Sequence, residues 1–257
     1  MRKMTLVLAC LASLVLAFTT CKKDESTLNG NNESEPCWKF DEKDGTLYIW
    51  CIDMPDFVKG DTSTWHPWWK HDDSIKRVVI ENTVTRIGQF AFWGCVNLVE
   101  VEFIEPSSVE SIGENAFFLC KLSAIKIPNS VERIGNSAFN NCQRLHDVNL
   151  GEGVRIIGNS AFNQCVITYL TIPSSVEQIG EYAFFSTIGT NWQGQTGWNP
   201  LSSVSSLRPT PPIAHKTTFA GSNDLRAGSL CVKKEYLDSY GQAVGWKDGF
   251  TIIFTRL

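Results

Sequence analysis

Four cysteines, Cys95, Cys120, Cys142 and Cys165, recur at intervals of 25, 22 and 23 residues. Thiols can ligate a soft metal or pair as disulfides. A metal needs ligands converging within about 2.3 Å of one ion, usually from CxxC or Cys/His clusters. Thiols more than twenty residues apart and stacked in a line cannot converge in that way, and parallel side chains in a ladder point the same way. The role left to them is that of small buried hydrophobes. Cys37 and Cys51 differ, because they flank a hairpin whose turn lies around Asp41 to Gly45. Opposed at its two ends, they could form a cross-strand disulfide in an exported protein, and a reduced pair fits the sequence equally well.

A second group, His66, His71, Asp72 and Asp73, has the residue types of a metal or acid/base centre. No G-x-S-x-G, H-E-x-x-H or Walker loop accompanies it. Gly151-Glu152-Gly153 is a turn, since Gly158 falls at the wrong distance for a phosphate loop. The carboxylates pair with no consistent partner. The expectation is therefore no catalytic residue, no metal site, no cofactor and no enzyme, with the His/Asp run forming an exposed edge. The 257 residues carry 23 basic and 27 acidic side chains, a net charge of -4. That balance attracts neither nucleic acid nor an anionic bilayer, and a 43% apolar share excludes wholesale disorder.

The elements that position these residues are repeats. Ile-Gly occurs at Ile87, Ile112, Ile134, Ile157 and Ile179, and Ala-Phe follows at Ala91, Ala116, Ala138, Ala161 and Ala183. Three residues after each Phe stands one of the four cysteines, with Thr187 in the fifth copy. A fixed period of about 23 marks a solenoid whose units bury their apolar faces only against neighbours. Between the blocks lie strand-like segments such as Leu122/Ile125/Ile127 and Ile167/Leu170/Ile172. Their alternation puts one face in the core and one in solvent. Pro128, Pro173 and, in the equivalent place, Gly151 then turn the chain.

The pattern [IV]-P-x-S-V-x-x-I-G-x-x-A-F-x-x-C-x-x-L resembles the BspA-like (Treponema-type) leucine-rich repeat. Ile127-Pro128-Asn129-Ser130-Val131 and Ile172-Pro173-Ser174-Ser175-Val176 carry the likeness most closely. Trp38 to Ile49, Met54 to Phe57 and Pro67-Trp68-Trp69 resemble that family's N-terminal cap, and Ser229 to Val232 with Gly245-Trp246-Lys247 its closing unit. The resemblance implies an α/β leucine-rich-repeat solenoid, with a parallel sheet on one face and short helical or irregular segments on the other. It also implies a surface protein with an adhesion-type protein partner, on a host or another bacterium. Two departures stand out: the insertion 188–200, and Leu201-Ser202-Ser203-Val204-Ser205-Ser206, where serine occupies the third core place.

The N-terminus reads as an address. Arg2 and Lys3 precede an apolar run from Leu6 to Phe18, too short for the roughly 20 residues of a membrane span. Phe18-Thr19-Thr20-Cys21 resembles a loose bacterial lipobox, with Cys21 the lipidated residue. Lys22-Lys23-Asp24-Glu25 resembles the Bacteroidota pattern that sends lipoproteins to the outer face of the outer membrane. The expected organisation is signal peptide 1–20, flexible tether 21–36, cap with hairpin 37–74, five repeats 75–187, insertion 188–200, and an irregular last repeat with cap 201–257. Contact with the membrane is expected only through the lipid. Two surfaces are candidates for a partner. One is the row of outward strand positions, where Arg77 and Tyr169 are the anchor-type residues and Val79, Lys126, His146 and Asp147 also face solvent. The other is the insertion, whose Trp192 and Trp198 have the chemistry to stack on a glycan for nutrient capture. Trp65, Trp68 and Trp69 are expected to plug the end of the stack.

Overall fold

Each repeat closes on itself around an inward Phe, a glycine against the preceding coil and, in four of the five copies, a corner cysteine. Phe92, Phe117, Phe139, Phe162 and Phe184 point inward and stack, with ring centroids 5.0 to 5.4 Å apart from one coil to the next. The glycine of each Ile-Gly pair lies against the preceding coil, where a Cβ on Gly135 would stand 2.7 Å from the Gly113 carbonyl carbon. Only a residue with no side chain fits that approach. The cysteine fills the corner beside the Phe, buried in each of the four copies that carry it.

The structure, a computed structural model, describes residues 36–58, 66–186, 189–190, 196–198, 201–219 and 227–256. In chain order the strands are β1 (Trp38–Asp41), β2 (Thr46–Ile49), β3 (Arg77–Ile80), β4 (Arg86–Ile87), β5 (Glu100–Phe103), β6 (Ser111–Ile112), β7 (Ala124–Lys126), β8 (Arg133–Ile134) and β9 (Asp147–Asn149). They continue as β10 (Ile156–Ile157), β11 (Tyr169–Ile172), β12 (Gln178–Ile179), β13 (Gly189–Thr190), β14 (Thr196–Trp198), β15 (Ser203–Ser206), β16 (Ile213–Ala214), β17 (Ala227–Lys233) and β18 (Phe250–Arg256). One short helix, α1 (Leu237–Gln242), precedes the last strand.

The longer strands build one face in three runs, β1-β2-β3-β5, β7-β9 and β11-β15-β17-β18, all parallel except the antiparallel hairpin of β1 with β2. The opposite side is more ordered than the sequence suggested. The two-residue strands β4, β6, β8, β10, β12 and β16 form a six-stranded parallel sheet there. A third ladder joins the turns between the sheets: Phe117 N–H donates to Ala138 O at 2.8 Å, and Phe139 N–H to Ala161 O at 2.7 Å. These turns need left-handed backbone twice per repeat, at the residue before Ala-Phe (Phe90, Asn115, Ser137, Ser160, Tyr182) and at the residue before Cys (Gly94, Leu119, Asn141, Gln164).

Both ends of the aromatic column are sealed by tryptophan. Trp68 stacks on Phe92 at 5.7 Å and donates its indole N–H to Ala91 O at 2.9 Å. At the other end Phe219 continues the column from Phe184 and meets Trp246, whose N–H donates to Pro212 O at 2.8 Å. The last coil thus keeps the pattern with altered letters. Ala214 pairs with Ile179, and Thr218 takes the alanine place, its hydroxyl donating to Gly180 O at 2.9 Å. The serine departure has a cause as well: buried Ser206 lies 2.6 Å from the hydroxyl of Tyr240 on α1. Cys37 and Cys51 are joined as a disulfide, their Cα atoms 4.9 Å apart.

Candidate functional site

Strand register fixes the outward rows. Thr46, Arg77 and Glu100 stand abreast, as do Tyr48, Val79 and Glu102. Farther along, Ala124 pairs with Asp147 and Lys126 with Asn149, while Tyr169 pairs with Ser203 and Thr171 with Ser205. By repeat equivalence Asp147 and Tyr169 share one row, and Lys126 belongs to the other, diagonal to Asp147. Neighbouring strands lie about 4.8 Å apart, so one partner side chain can reach two columns. Tyr169 dominates this surface at 72% exposed, between the buried residues Ile167 and Leu170 that anchor its strand. Lys126, His146 and Asp147 are exposed beside it, and His146 Nδ1 lies 3.0 Å from Arg144 O in its own turn.

Two outward positions behave differently from expectation. Val79 is buried, because its row neighbours Tyr48 and Glu102 flank it on both sides. Arg77 is no free anchor: its guanidinium contacts Glu100 at 3.4 Å and also hydrogen-bonds Glu102. The charges around Arg77 are therefore paired within the face, and the anchor-type residue left exposed on it is Tyr169.

The insertion is an antiparallel hairpin, β13 with β14, in which Trp198 stands opposite Gly189. Trp198 is placed by its backbone, while Trp192, Trp65 and Cys21 lie outside the described residues. The chain leaving the hairpin rejoins the strand face directly beside Tyr169, where the Ser202 and Ser203 N–H groups both donate to Thr168 O. The strand face and the insertion thus adjoin along the chain.

The His/Asp run is not an exposed edge throughout. His66 is buried, packed on Trp68 at 5.3 Å and edge-on to Phe57 at 5.6 Å. Its Nε2 lies 3.6 Å from Asp72 Oδ2, and the Cys95 thiol lies 3.7 Å from Asp72 Oδ1. Asp72 thus stands between thiol and imidazole, whereas a nucleophilic triad places the imidazole between nucleophile and carboxylate, and the electrostatics also run against that use. Burial pulls His66 down to about 4 and pushes Asp72 up to about 7, with Asp73 adding to the latter. Burial also holds the Cys95 thiol well above its usual range, and the neighbouring Asp72 raises it further. A desolvated imidazole, a carboxyl that holds its proton more tightly than usual and a closed thiol are cap packing. Trp69 is exposed here, so of Trp68 and Trp69 only Trp68 plugs the stack.

The repeating thiols have a hydrogen-bonding role that spacing alone did not reveal. Cys120, Cys142 and Cys165 donate to the carbonyls of Phe92, Phe117 and Phe139, each one coil back, at 3.3, 3.1 and 3.3 Å. Burial pushes Cys142 up to about 12. Sequence reasoning also passed over the residue after each inward Phe: Trp93, Phe118, Asn140, Asn163 and Phe185. These form a second, half-buried column on the turn side, in which Trp93 and Phe118 stack with 6.3 Å between centroids. Their fixed place after Ala-Phe was the available signal.

A parallel solenoid of short coils, with an inner phenylalanine column and outward strand rows, is a leucine-rich-repeat scaffold. Its repeats belong to the BspA type leucine rich repeat region, with six copies across residues 68–190. Similar solved structures include a leucine rich cell surface protein from Faecalibacterium prausnitzii, 19% identical over 90% of this chain and 77% of that one, with a TM-score of 0.41. The leucine rich repeat protein of T. pallidum is 19% identical over 85% and 79%, at 0.36. One from Bacteroides ovatus is 17% identical over 85% and 74%, at 0.35. No curated protein matches the chain. Among the described residues no helix is long and apolar enough to cross a membrane, and no cluster of three or more His, Cys, Asp or Glu could hold a metal ion.

Proposed function

We propose that this chain is a non-catalytic, adhesin-like lipoprotein that binds a protein partner at the cell surface through its strand face. The observation carrying the reading is Tyr169: a large aromatic 72% exposed on its strand, with exposed His146 and Asp147 on the preceding repeat and Lys126 one repeat further on. Interfaces draw most of their energy from a few such aromatic anchors, while surrounding charges steer association. Family membership supports the scaffold role. Cys21, through its lipobox-like context, supplies the outer-membrane anchor, since stable attachment takes more than one acyl chain.

A protein array of extracellular-matrix and bacterial surface proteins tests the partner. The expected hit weakens about tenfold or more with Tyr169→Ala, a loss of about 1.4 kcal/mol, and Asp147→Asn shifts its salt dependence. Full binding by the Tyr169→Ala protein would remove the strand face as the site. Metabolic labelling with an alkynyl fatty acid tests the anchor: Cys21→Ser loses the label and leaves the membrane fraction, and label persisting there would rule the residue out.

A further inference from the structure

An edge strand presents a row of unpaired N–H and C=O groups that can template another chain, so where each sheet ends matters. Most of the ends here are short or covered. β1 has four residues and carries Lys39 and Asp41. The sheet of two-residue strands ends at β4, where Asp53 bridges to Arg86, and at β16, which the chain enters through Pro211-Pro212. β18 differs. It runs seven residues, Phe250–Arg256, and pairs in parallel with β17 along one side, from Ala227↔Phe250 to Lys233↔Arg256. Among the described residues no strand pairs with its other side. It contains neither proline nor lysine, the residues that most often blunt an edge.

The sequence of β18 also has a centre. Outward from Ile253 it reads Ile252-Thr251-Phe250 in one direction and Phe254-Thr255-Arg256 in the other. Laid antiparallel against its own copy about Ile253, the strand sets Thr251 against Thr255, Ile252 against Phe254 and Ile253 against itself. Facing Thr–Thr and apolar pairs stabilise neighbouring strands, and like charges directly opposite destabilise them. In this register Arg256, the one charged residue of the strand, falls opposite Phe250. A parallel pairing in the same register would set Arg256 against its own copy instead. Antiparallel pairs alternate between bonded and non-bonded positions, so a register centred on one residue closes with either parity of the free edge.

We propose that β18 is a self-recognition edge, through which two copies of the chain pair antiparallel about Ile253 and join their strand faces into one sheet. Main-chain bonds along an added strand supply the affinity of such contacts. The two-fold axis of an antiparallel pair stands upright on the sheet, so the outward rows of both copies share one surface. β11 lies three strands in from the edge on each side of the axis. The two Tyr169 residues are therefore seven strand spacings apart, about 34 Å along the sheet. On the partner reading above, the dimer offers two anchors to one extended or repeated partner and gains avidity without a new contact. The pairing itself does not depend on that reading.

An edge of seven residues is smaller than a standard interface, so the test is made where the chain is crowded, by oxidising cells that express the full chain. Cysteines are placed on β18 in a Cys231→Ser background, which removes the one free thiol among the described residues that is not buried. Residues opposed across an antiparallel pair have Cα atoms about 4.5–5.5 Å apart, within the span that a disulfide bridges. Ile253→Cys should therefore link to its own copy and run as a dimer on a non-reducing gel. Thr251→Cys and Thr255→Cys should not self-link, because each lies at least about 13 Å from its equivalent. Cells expressing both of these variants together should yield the linked dimer. The proposal is overturned if neither Ile253→Cys nor the mixture links above the background chain. It is equally overturned if Thr251→Cys or Thr255→Cys alone links as readily as either.

Discussion

Removing one ring from the middle of the inner column tests the packing argument most directly. Phe139 is fully buried, with Phe117 and Phe162 each 5.1 Å away and nearly parallel to it. Truncating a buried Phe to Ala costs about 3–5 kcal/mol, and the spread depends on how far the site can collapse. Here collapse is blocked. Phe139 N–H is bonded to Ala161 O, and its carbonyl accepts the Cys165 thiol, so coil spacing is fixed on the turn side. On the far side β8 is paired with both β6 and β10. Two stacked faces also lose their partner, each pair adding about 0.5–1.5 kcal/mol beyond burial. Phe139→Ala is therefore expected near the top of the range, about 5 kcal/mol, and Phe139→Leu, which keeps most of the volume, near 1.5 kcal/mol. Urea melts followed by circular dichroism would measure both, with Gln143→Ala as an exposed control. An Ala variant within about 1 kcal/mol of that control would mean the column is not what holds neighbouring coils together.

Other outcomes follow from the same geometry. Gly135→Ala should cost about 3 kcal/mol, because the new Cβ meets the Gly113 and Glu114 backbone below 3.0 Å and neither can yield as a side-chain tip would; a melting temperature within two degrees or so of wild type would contradict this. Cys95, Cys120, Cys142 and Cys165 should resist a thiol reagent at pH 8 until the protein unfolds, since burial holds all four in the thiol form, whereas rapid native-state labelling at Cys142 would place it in a reachable, ionisable site. His66 takes its proton more readily when unfolded, so its contribution is full above its ordinary value of 6.5 and lost as pH falls toward about 4. Asp72 releases its proton more readily when unfolded, so its contribution is full below 3.8 and lost as pH rises toward about 7. In their shared window the two slopes oppose, so Asp72→Asn should unmask a loss of stability on acidification and His66→Gln a loss on going toward neutrality; parallel pH profiles for the two variants would refute the pairing.

Much of the fold was legible because the repeat's invariant letters answer to invariant contacts. Ile-Gly marks where a strand turns hard against the previous coil, Ala-Phe where the column passes, and Cys where the corner closes. The second sheet was not legible, since two residues such as Arg133 and Ile134 are too few to display a period-2 alternation. The left-handed turns were half visible. Gly94, Asn115 and Asn141 are of the types that adopt that backbone readily, but Phe90, Leu119 and Tyr182 occupy the same places and hide the rule. The last coil escaped because Thr218 replaces alanine, a change that makes sense only once its hydroxyl is seen bonding Gly180 O.

The candidate site divides along the same line. Alternation alone puts Tyr169 outside and Leu170 inside, so its exposure could be read directly. Val79 obeys the same alternation and is nonetheless buried, because what covers it comes from Tyr48 in a hairpin far away in sequence and from Glu102 one coil on. Arg77 has the chemistry of an anchor, but two glutamates on the next strand already occupy it. A strand's own pattern reports which way a side chain points, and the register of its neighbours decides whether that side chain is still available. On this scaffold the first is written once per repeat, while the second changes from coil to coil. That difference is why a repeat protein can keep one core and still vary its partner: selection on Phe139 or Gly135 concerns every coil alike, whereas a change at Asp147, Tyr169 or Asn163 alters one square of surface and leaves the stack untouched.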